Sequence, residues 1–241
     1  MATLETPRLP PLAGPLETVS ATRERLLDTA EGLFAERGFR AASVRHITAA
    51  AGCNLAAVSY HFGGKERLYE EMFRRRLSAM REQRLETIEG VLREAGEGAT
   101  LELLLRTFAT VFLEPFVDQS RGRLLMQLFG RELAEPHLPA GVLAEMIEPV
   151  HSAFGAALVR LRPGLEPVTA RLCSHSVVGL LVHALRLHSG FGPVSGSCRA
   201  SLALPDLIEH VVAFSAAGIE ALAQRDRAAE PSASPVSPEP R

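Results

Sequence analysis

The chain has 241 residues, of which 46% are apolar and 22% charged, a composition typical of a soluble globular protein that excludes an intrinsically disordered one. No apolar run reaches the ~18–20 residues that would span a bilayer. The N-terminal segment lacks the basic and apolar regions of a signal peptide, so we expect a cytoplasmic protein without a membrane partner. Three cysteines, none in a C-x-x-C pair, argue against a disulfide framework.

The formal net charge of −2 conceals an uneven distribution. Residues 20–84 carry 12 basic and 8 acidic side chains, a balance of +4, whereas residues 85–241 carry 13 basic and 18 acidic side chains, a balance of −5. A basic N-terminal third on an acidic body indicates a local contact with a polyanion. A random scatter of charges would produce the same numbers.

The first two helices are short and have clear ends. Apolar spacing predicts a helix from Arg23 to Arg37, ended by Gly38 and followed by Phe39 as a hydrophobic cap contact. Ser43 is a suitable N-cap for a second helix over residues 44–51.

The rest of the chain is also predicted to be helical. Asn54 caps a third helix, Leu55 to His61, and a long fourth helix runs from Lys65 to about Arg93. Further helices are predicted at about residues 99–117, 121–134, 140–161, 167–188 and 204–224. No convincing strand or internal repeat is present, so the predicted fold class is all-α.

Three short helices with Gly52 between the second and third have the layout of a helix-turn-helix. The motifs L-x-x-A-x-x-L-F-x-x-x-G-F, S-V-x-x-I-x-x-x-A-G and V-x-Y-H-F-x-x-K-x-x-L follow one another within residues 22–73. In this order they resemble the DNA-binding domain of the TetR family of transcriptional regulators. The segment RELAEPHLP and the following I-x-P are similar to the C-terminal domain of the CecR/CerR-like branch of that family.

The resemblance suggests an order of domains. We expect a helix-turn-helix DNA-binding domain at residues 20–80 and a helical domain for effector binding and dimerisation at residues 81–225. The Pro-rich and Ser-rich segments 1–19 and 226–241 are predicted to be disordered tails.

Several residues of the motif are suited to contacting DNA. A hydroxyl at a helix N-terminus can bind a phosphate, a small residue lets a helix approach a groove, and aromatic or imidazole donors reach phosphate oxygens. The predicted contacts are Ser43, Arg45, Asn54, Leu55, Ala56, Ser59, Tyr60, His61 and Lys65. The phosphate-binding role of Lys65 is implied by the resemblance.

Alternatives remain for three of these contacts, and the motif itself departs from the family in two places. Tyr60 could be a half-buried helix residue, His61 a cap of its helix and Arg45 a solvated charge. Ser59 stands where the family more often has an aromatic residue, and Cys53 stands where it has a buried Val.

The C-terminal two-thirds are predicted to hold a small hydrophobic or aromatic effector. Phenylalanine and methionine suit an adaptable apolar pocket, and a few polar groups would orient the guest. The candidates are Phe108, Phe112, Met126, Arg131 and His151. Ordinary core packing is the alternative for the apolar ones, and Arg131 could instead pair with a neighbouring turn.

Broad apolar faces on the helices at 167–188 and 204–224 predict a homodimer through a four-helix interface. The residues assigned to it are Val177, Val178, Leu180, Leu181, Leu185, Leu207, Val211, Val212, Phe214 and Ile219.

The motifs of common enzymes are missing from the sequence. We find no Gly-rich phosphate loop, no G-x-S-x-G and no H-E-x-x-H, so no catalytic residue and no cofactor is predicted.

His175 and His183 are two helical turns apart, about 12 Å, too far for one zinc ion within a single helix. The resemblance to the TetR family implies a ligand-responsive repressor that binds a palindromic operator as a homodimer. A non-specific architectural DNA-binding protein and a helical enzyme are the alternatives.

Overall fold

A computed structural model of the chain describes residues 15–117, 121–189 and 203–229. These ranges contain nine α-helices and no strand, which confirms the all-α class. The helices are α1 (Pro15–Ala41), α2 (Val44–Ala50), α3 (Ala56–Phe62), α4 (Lys65–Glu94), α5 (Leu101–Val117), α6 (Arg121–Ala134), α7 (Val142–Leu161), α8 (Pro167–Ser189) and α9 (Leu204–Ala229). Each lies within a few residues of a predicted helix, apart from the outer ends of α1 and α9.

The outer helices extend into the predicted tails at 1–19 and 226–241. Helix α1 begins at Pro15 and α9 ends at Ala229, and the rest of both tails lies outside the described residues. The last turn of α9 is held in place because Asp226 is buried and accepts a hydrogen bond from the Glu166 amide at 3.2 Å. The helix therefore continues past the composition change that suggested a tail.

The chain divides into two compact units. The first contains the described residues up to Phe73 together with Gln127–Pro139, and the second contains the remainder. Helices α4 and α6 each run from one unit into the other. The sequence analysis placed the change at about residue 80 and did not predict that the second half of α6 joins the first unit.

The first unit has a small core of apolar side chains from α1 to α4. Its fully buried or nearly fully buried members include Leu26, Leu27, Ala30, Phe34, Ile47, Val58, Phe62, Leu68 and Phe73. The predicted break at Gly38 is present, with φ at +78° inside α1, a conformation that glycine adopts without strain. Beyond the break the Phe39 ring stacks on Phe34 with centroids 5.9 Å apart, which is the predicted hydrophobic contact.

The second unit has the larger core, built from α5, α7, α8, α9 and the later turns of α4. At its centre the fully buried rings of Phe108 and Phe154 stack with centroids 4.4 Å apart.

Two helices of this unit, α7 and residues 167–188 of α8, are long and apolar enough to cross a membrane by length and composition alone. Charged residues interrupt both, at Glu145 and Arg171 for example. Each also contributes fully buried side chains to the core, among them Phe154 and Leu181. A core helix of a globular protein has the same length and composition, so this is weak evidence for a membrane.

Candidate nucleic-acid interface and ligand-binding core

Helix α2 begins as predicted at a serine cap. The His46 amide donates a hydrogen bond to Ser43 Oγ at 3.2 Å, which satisfies one of the open amides of the first turn. Ile47 and Thr48 are buried, whereas Arg45 and His46 are exposed. The helix therefore packs through one face and leaves the Arg45 guanidinium in solvent.

Helix α3 has one buried and one exposed face. Val58 and Phe62 are buried, while the Leu55 side chain is 53% exposed and that of Tyr60 is 77% exposed. The half-buried alternative for Tyr60 is therefore wrong. Ala56 and Ser59 are exposed on the same short helix. An exposed leucine and tyrosine beside two small residues form a surface that can approach a groove closely.

Asn54 lies just before this helix. Its side-chain Oδ1 accepts a hydrogen bond from the Ala56 amide at 2.9 Å, so Asn54 caps the turn, although helix α3 itself begins one residue later than predicted. His61 is half-buried, and its ring lies edge-on to Tyr60 with centroids 5.0 Å apart.

Lys65 starts α4 and contacts its own chain. Its ammonium lies 4.4 Å from the centroid of the Phe39 ring and donates a hydrogen bond to the Arg40 carbonyl at 3.4 Å. Burial lowers the pKa of Lys65, and the charge of Glu66 opposes this shift. The side chain therefore also holds the start of α4 against the residues that follow the break in α1.

Arg131, one of the residues predicted to bind a ligand, contacts backbone carbonyls of α1. It lies in the first unit, where its Nε donates to the Ala35 carbonyl at 3.0 Å and its Nη2 to the Glu36 carbonyl at 2.8 Å. A Cβ atom at Gly38 would come within 3.3 Å of Arg131 Nη1. These contacts correspond to the alternative in which Arg131 pairs with a neighbouring turn, because a cation of α6 caps carbonyls at the end of a helix distant in the chain.

The neighbouring Glu132 is buried and accepts several hydrogen bonds. Its carboxylate accepts hydrogen bonds from the Tyr69 hydroxyl at 2.9 Å and from the amides of His137 and Leu138 at 3.0 and 2.9 Å. Burial raises the pKa of Tyr69, and the hydrogen bond to Glu132 raises it further. The carboxylate thus joins α4 to the turn after α6 within the first unit.

Phe108, Phe112 and His151, three of the predicted ligand-binding residues, lie in or beside the core of the second unit. Phe108 stacks on Phe154 and is 5.9 Å from Phe112 between ring centroids. His151 is buried, and its Nδ1 lies 2.8 Å from Ser174 Oγ. Burial lowers the pKa of His151, as does the charge of His175, whose ring stacks on it at 3.9 Å. The fourth residue, Met126, is partly buried against the same core.

Arg84 joins this group and was missed by the sequence analysis. Its guanidinium carbon lies 4.0 Å from the centroid of the Phe112 ring, and its Nη2 donates to the Phe112 carbonyl at 3.4 Å. The charge of Arg84 also contributes to the lowered pKa of His151. The sequence analysis missed Arg84 because α4 carries several arginines, and sequence spacing does not distinguish Arg84 from Arg81.

A groove of about 440 Å³ runs between α4 and α5. Its lining includes Thr87, Val91, Leu103 and Val111 but none of the five residues predicted to bind a ligand. Phe108 and Phe112 are instead buried, because they lie on the core face of α5 and not on the groove face.

The predicted dimer residues lie almost entirely inside the protomer. Val177, Leu181, Leu185, Leu207, Val211, Val212 and Ile219 are buried, and Val178 and Leu180 pack partly buried against the same core. Only Phe214 of the predicted set is exposed, and Val168 and Leu172 of α8 are exposed with it; these three side chains are 62%, 72% and 62% exposed. We call these three residues the α8–α9 apolar face. Most of the assigned residues are buried because α8 and α9 turn these side chains toward the core of their own chain.

Two family profiles match the chain. The profile of bacterial regulatory proteins of the tetR family matches residues 26–72, which include α2 and α3. The profile of the tetracyclin repressor-like C-terminal domain matches residues 106–218. The chain belongs to the TetR family. These matches do not confirm the CecR/CerR-like branch.

Curated relatives of this TetR-family chain are regulators by name. The HTH-type transcriptional repressor KstR2 of Rhodococcus jostii is 39% identical over 98 residues, which cover 41% of this chain and 47% of that protein. The HTH-type transcriptional regulator AcrR of Shigella flexneri is 33% identical over 107 residues, 44% of this chain and 47% of that protein. The chain thus spans about half the length of these curated relatives.

Solved structures share the TetR-family fold. A TetR-family regulator from Mesorhizobium loti aligns with a TM-score of 0.58 at 19% identity, over 85% of this chain and 97% of that one. A transcriptional regulator from Saccharomonospora viridis in complex with choline aligns with a TM-score of 0.60 at 15% identity, over 81% of this chain and 95% of that one.

Proposed function

We propose that this TetR-family protein is a sequence-specific transcriptional repressor that binds a palindromic operator as a homodimer and is released by a small organic effector. The observation that carries the proposal is the exposed face of α3, where Leu55 and Tyr60 project into solvent above the buried Val58 and Phe62. A helix of this kind is suited to the major groove. In this proposal the nine sequence-predicted residues contact DNA, with Ser43, Tyr60, His61 and Lys65 at phosphates.

The homodimer is supported by the α8–α9 apolar face. Exposed apolar side chains of this size, grouped on two helices, are typical of an interaction surface. Gly179 and Gly218 lie on the same helices, and a Cβ atom added at either would meet open space. A two-fold axis would bring these helices together with their mates as a four-helix interface. The two copies of α3 in the dimer would then bind the two half-sites of a palindrome.

Release by an effector is proposed for the second unit. Helices α4 and α6 run through both units, and the second half of α6 carries the Arg131 and Glu132 contacts of the first unit. An effector lowers operator affinity only to the extent that it binds the DNA-free conformation more tightly. The S. viridis protein holds choline, which supports a small organic molecule as the kind of guest.

Tyr60→Ala is expected to weaken operator binding, through the loss of a phosphate contact, without unfolding the protein. Tyr60 is mostly exposed, so its loss should change the free energy of unfolding by only about 0.5 kcal/mol or less. The measurement is selection of duplexes from a random pool, followed by titration of the selected duplex and a scrambled one. Leu103→Ala, an exposed apolar residue of α5, is the matched control and should bind like the unaltered protein. If the unaltered protein binds both duplexes equally, it is an architectural protein and the proposal is wrong.

Lys65→Met is expected to weaken binding to every DNA sequence about equally. The substitution removes the ammonium but keeps an unbranched side chain over Phe39. Loss of one phosphate contact should reduce the slope of log affinity against log salt by about one. Arg93→Met, at the far end of α4, is the control and should leave the slope unchanged. A changed preference at one base pair with an unchanged slope would contradict the assignment.

A further inference from the structure

Arg84 is a half-buried cation without a carboxylate partner among the described residues. Its Nε is buried with no hydrogen-bond partner, and the described contacts of its guanidinium are the Phe112 carbonyl and ring. Burial lowers its pKa to about 10, so the group is still charged at neutral pH. Charged groups buried without a partner are strongly unfavourable, and an unpaired one therefore calls for an explanation.

Other arginines of the second unit do pair with carboxylates. Arg162 contacts Glu220, and Arg74 contacts Glu145 at 3.1 Å. Arg81 lies on the same helix three residues before Arg84 and has Glu82 at 4.0 Å. Among the residues that the structure describes, no carboxylate faces Arg84. Arg84 differs from these three arginines in having a backbone carbonyl and an aromatic ring, and no carboxylate, beside its guanidinium.

The surroundings of this charge are aromatic and apolar. The Phe112 ring lies under the guanidinium, and Phe108 and Phe154 continue from it into the core. His151 belongs to the same surroundings, since burial, the charge of His175 and the charge of Arg84 all lower its pKa. Arg84 as a whole keeps partial solvent exposure, which leaves a ligand a route to its side chain.

We infer that the effector is a carboxylate with an apolar or aromatic body, whose anionic group pairs with Arg84 while its body packs beside Phe112. The inference rests on the proposed effector-responsive repressor. An arginine and a carboxylate form paired, charge-assisted hydrogen bonds that would satisfy the open donors. A cation such as choline has the wrong charge for this place.

The test compares small molecules that share one carbon skeleton and differ in the charge of their end group. The probes are 4-phenylbutanoate, 4-phenylbutan-1-ol and 4-phenylbutylammonium, with octanoate, octan-1-ol and octylammonium as a second set, titrated calorimetrically into the full chain. We expect the carboxylates to bind about tenfold or more tightly than the alcohols and the ammonium ions to bind most weakly. Arg84→Met should remove this preference, and the control Arg81→Met should keep it.

A second measurement separates a binding role from a structural one. Arg84→Met removes the unpaired charge and keeps an apolar side chain over Phe112, so the ligand-free variant should melt at the same temperature as the unaltered protein or higher. A lower melting temperature would show that Arg84 is structural and would overturn the inference. Equal affinity for all three charges, tighter binding of the ammonium ions, absence of carboxylate binding or a preference retained in Arg84→Met would also overturn it.

Operator binding is measured on the same preparations, which keeps the two hypotheses apart. Specific DNA binding without a carboxylate preference refutes the inference alone. Failure to select any duplex refutes the proposed repressor, whatever the probes do. Carboxylate binding that depends on Arg84 and lowers operator affinity supports both.

Discussion

The double variant Leu172→Arg/Phe214→Arg is expected to be a monomer that binds operator DNA about 10²–10⁴-fold more weakly than the unaltered protein. Both side chains belong to the α8–α9 apolar face and are mostly exposed in one chain, so arginine should not disturb the fold. In a dimer the same positions would be buried, and four added cations near a two-fold axis would repel one another without partners.

The loss of operator affinity follows from the loss of the second half-site. In a dimer, binding of one α3 holds the other close to its half-site, and this effective concentration disappears in a monomer. Sedimentation equilibrium at micromolar concentration measures the assembly, and titration of the selected duplex measures the affinity. A single half-site duplex should be bound equally by both proteins.

Leu103→Arg is the control for added charge on an exposed apolar residue of the same unit. It should stay dimeric and bind the operator normally. If the unaltered protein sediments as a 26.0 kDa monomer and still binds a palindrome, the prediction is contradicted. A double variant that remains dimeric would show that the interface lies elsewhere.

The second large effect is expected for Glu132→Ala, which should lower the free energy of unfolding by about 3 kcal/mol or more. The substitution leaves the Tyr69 hydroxyl and the amides of His137 and Leu138 without their common acceptor. Each buried donor without a partner costs about 1–3 kcal/mol. Urea denaturation followed by circular dichroism gives the value, and the selected duplex reports whether the DNA-binding unit remains folded.

Two matched variants separate the carboxylate from its neighbours. Tyr69→Phe removes one of the three donors and should cost about 1 kcal/mol. Glu135→Ala, three residues further along, removes an exposed pair with Arg40 and should cost about 0–1 kcal/mol. If Glu132→Ala is no more harmful than Glu135→Ala, the buried network does not stabilise the first unit.

Local features of the N-terminal third followed from the sequence alone. The end of the helix at Gly38 and the cap at Ser43 depend on one residue and its immediate neighbours. The inward direction of Val58 and Phe62 depends only on a spacing of four residues, which places two side chains on one face of a helix. Because Tyr60 lies on another face of the helix than Val58 and Phe62, its side chain is exposed to solvent when they are buried. These were the features that made the family resemblance specific.

The network around α6 was decided by tertiary structure. Arg131 donates hydrogen bonds to the carbonyls of Ala35 and Glu36, which lie 96 and 95 positions earlier in the chain. Glu132 accepts a hydrogen bond from Tyr69, which lies 63 positions earlier. Periodicity describes which side of a helix is apolar but does not say which distant backbone groups need a partner. The sequence analysis therefore placed Arg131 among the pocket residues, whereas its hydrogen bonds and those of Glu132 lie within the first unit.

Tertiary structure also decided which apolar face of α8 is covered by its own chain. Residues such as Val177 and Leu172 are equally apolar, and helical spacing places them on different faces without ranking the faces. Packing against α7 and α9 buries the first and leaves the second in solvent. The same holds for the charge of Arg84, because only the position of Phe112 on α5 places an aromatic ring and a carbonyl beside this arginine of α4.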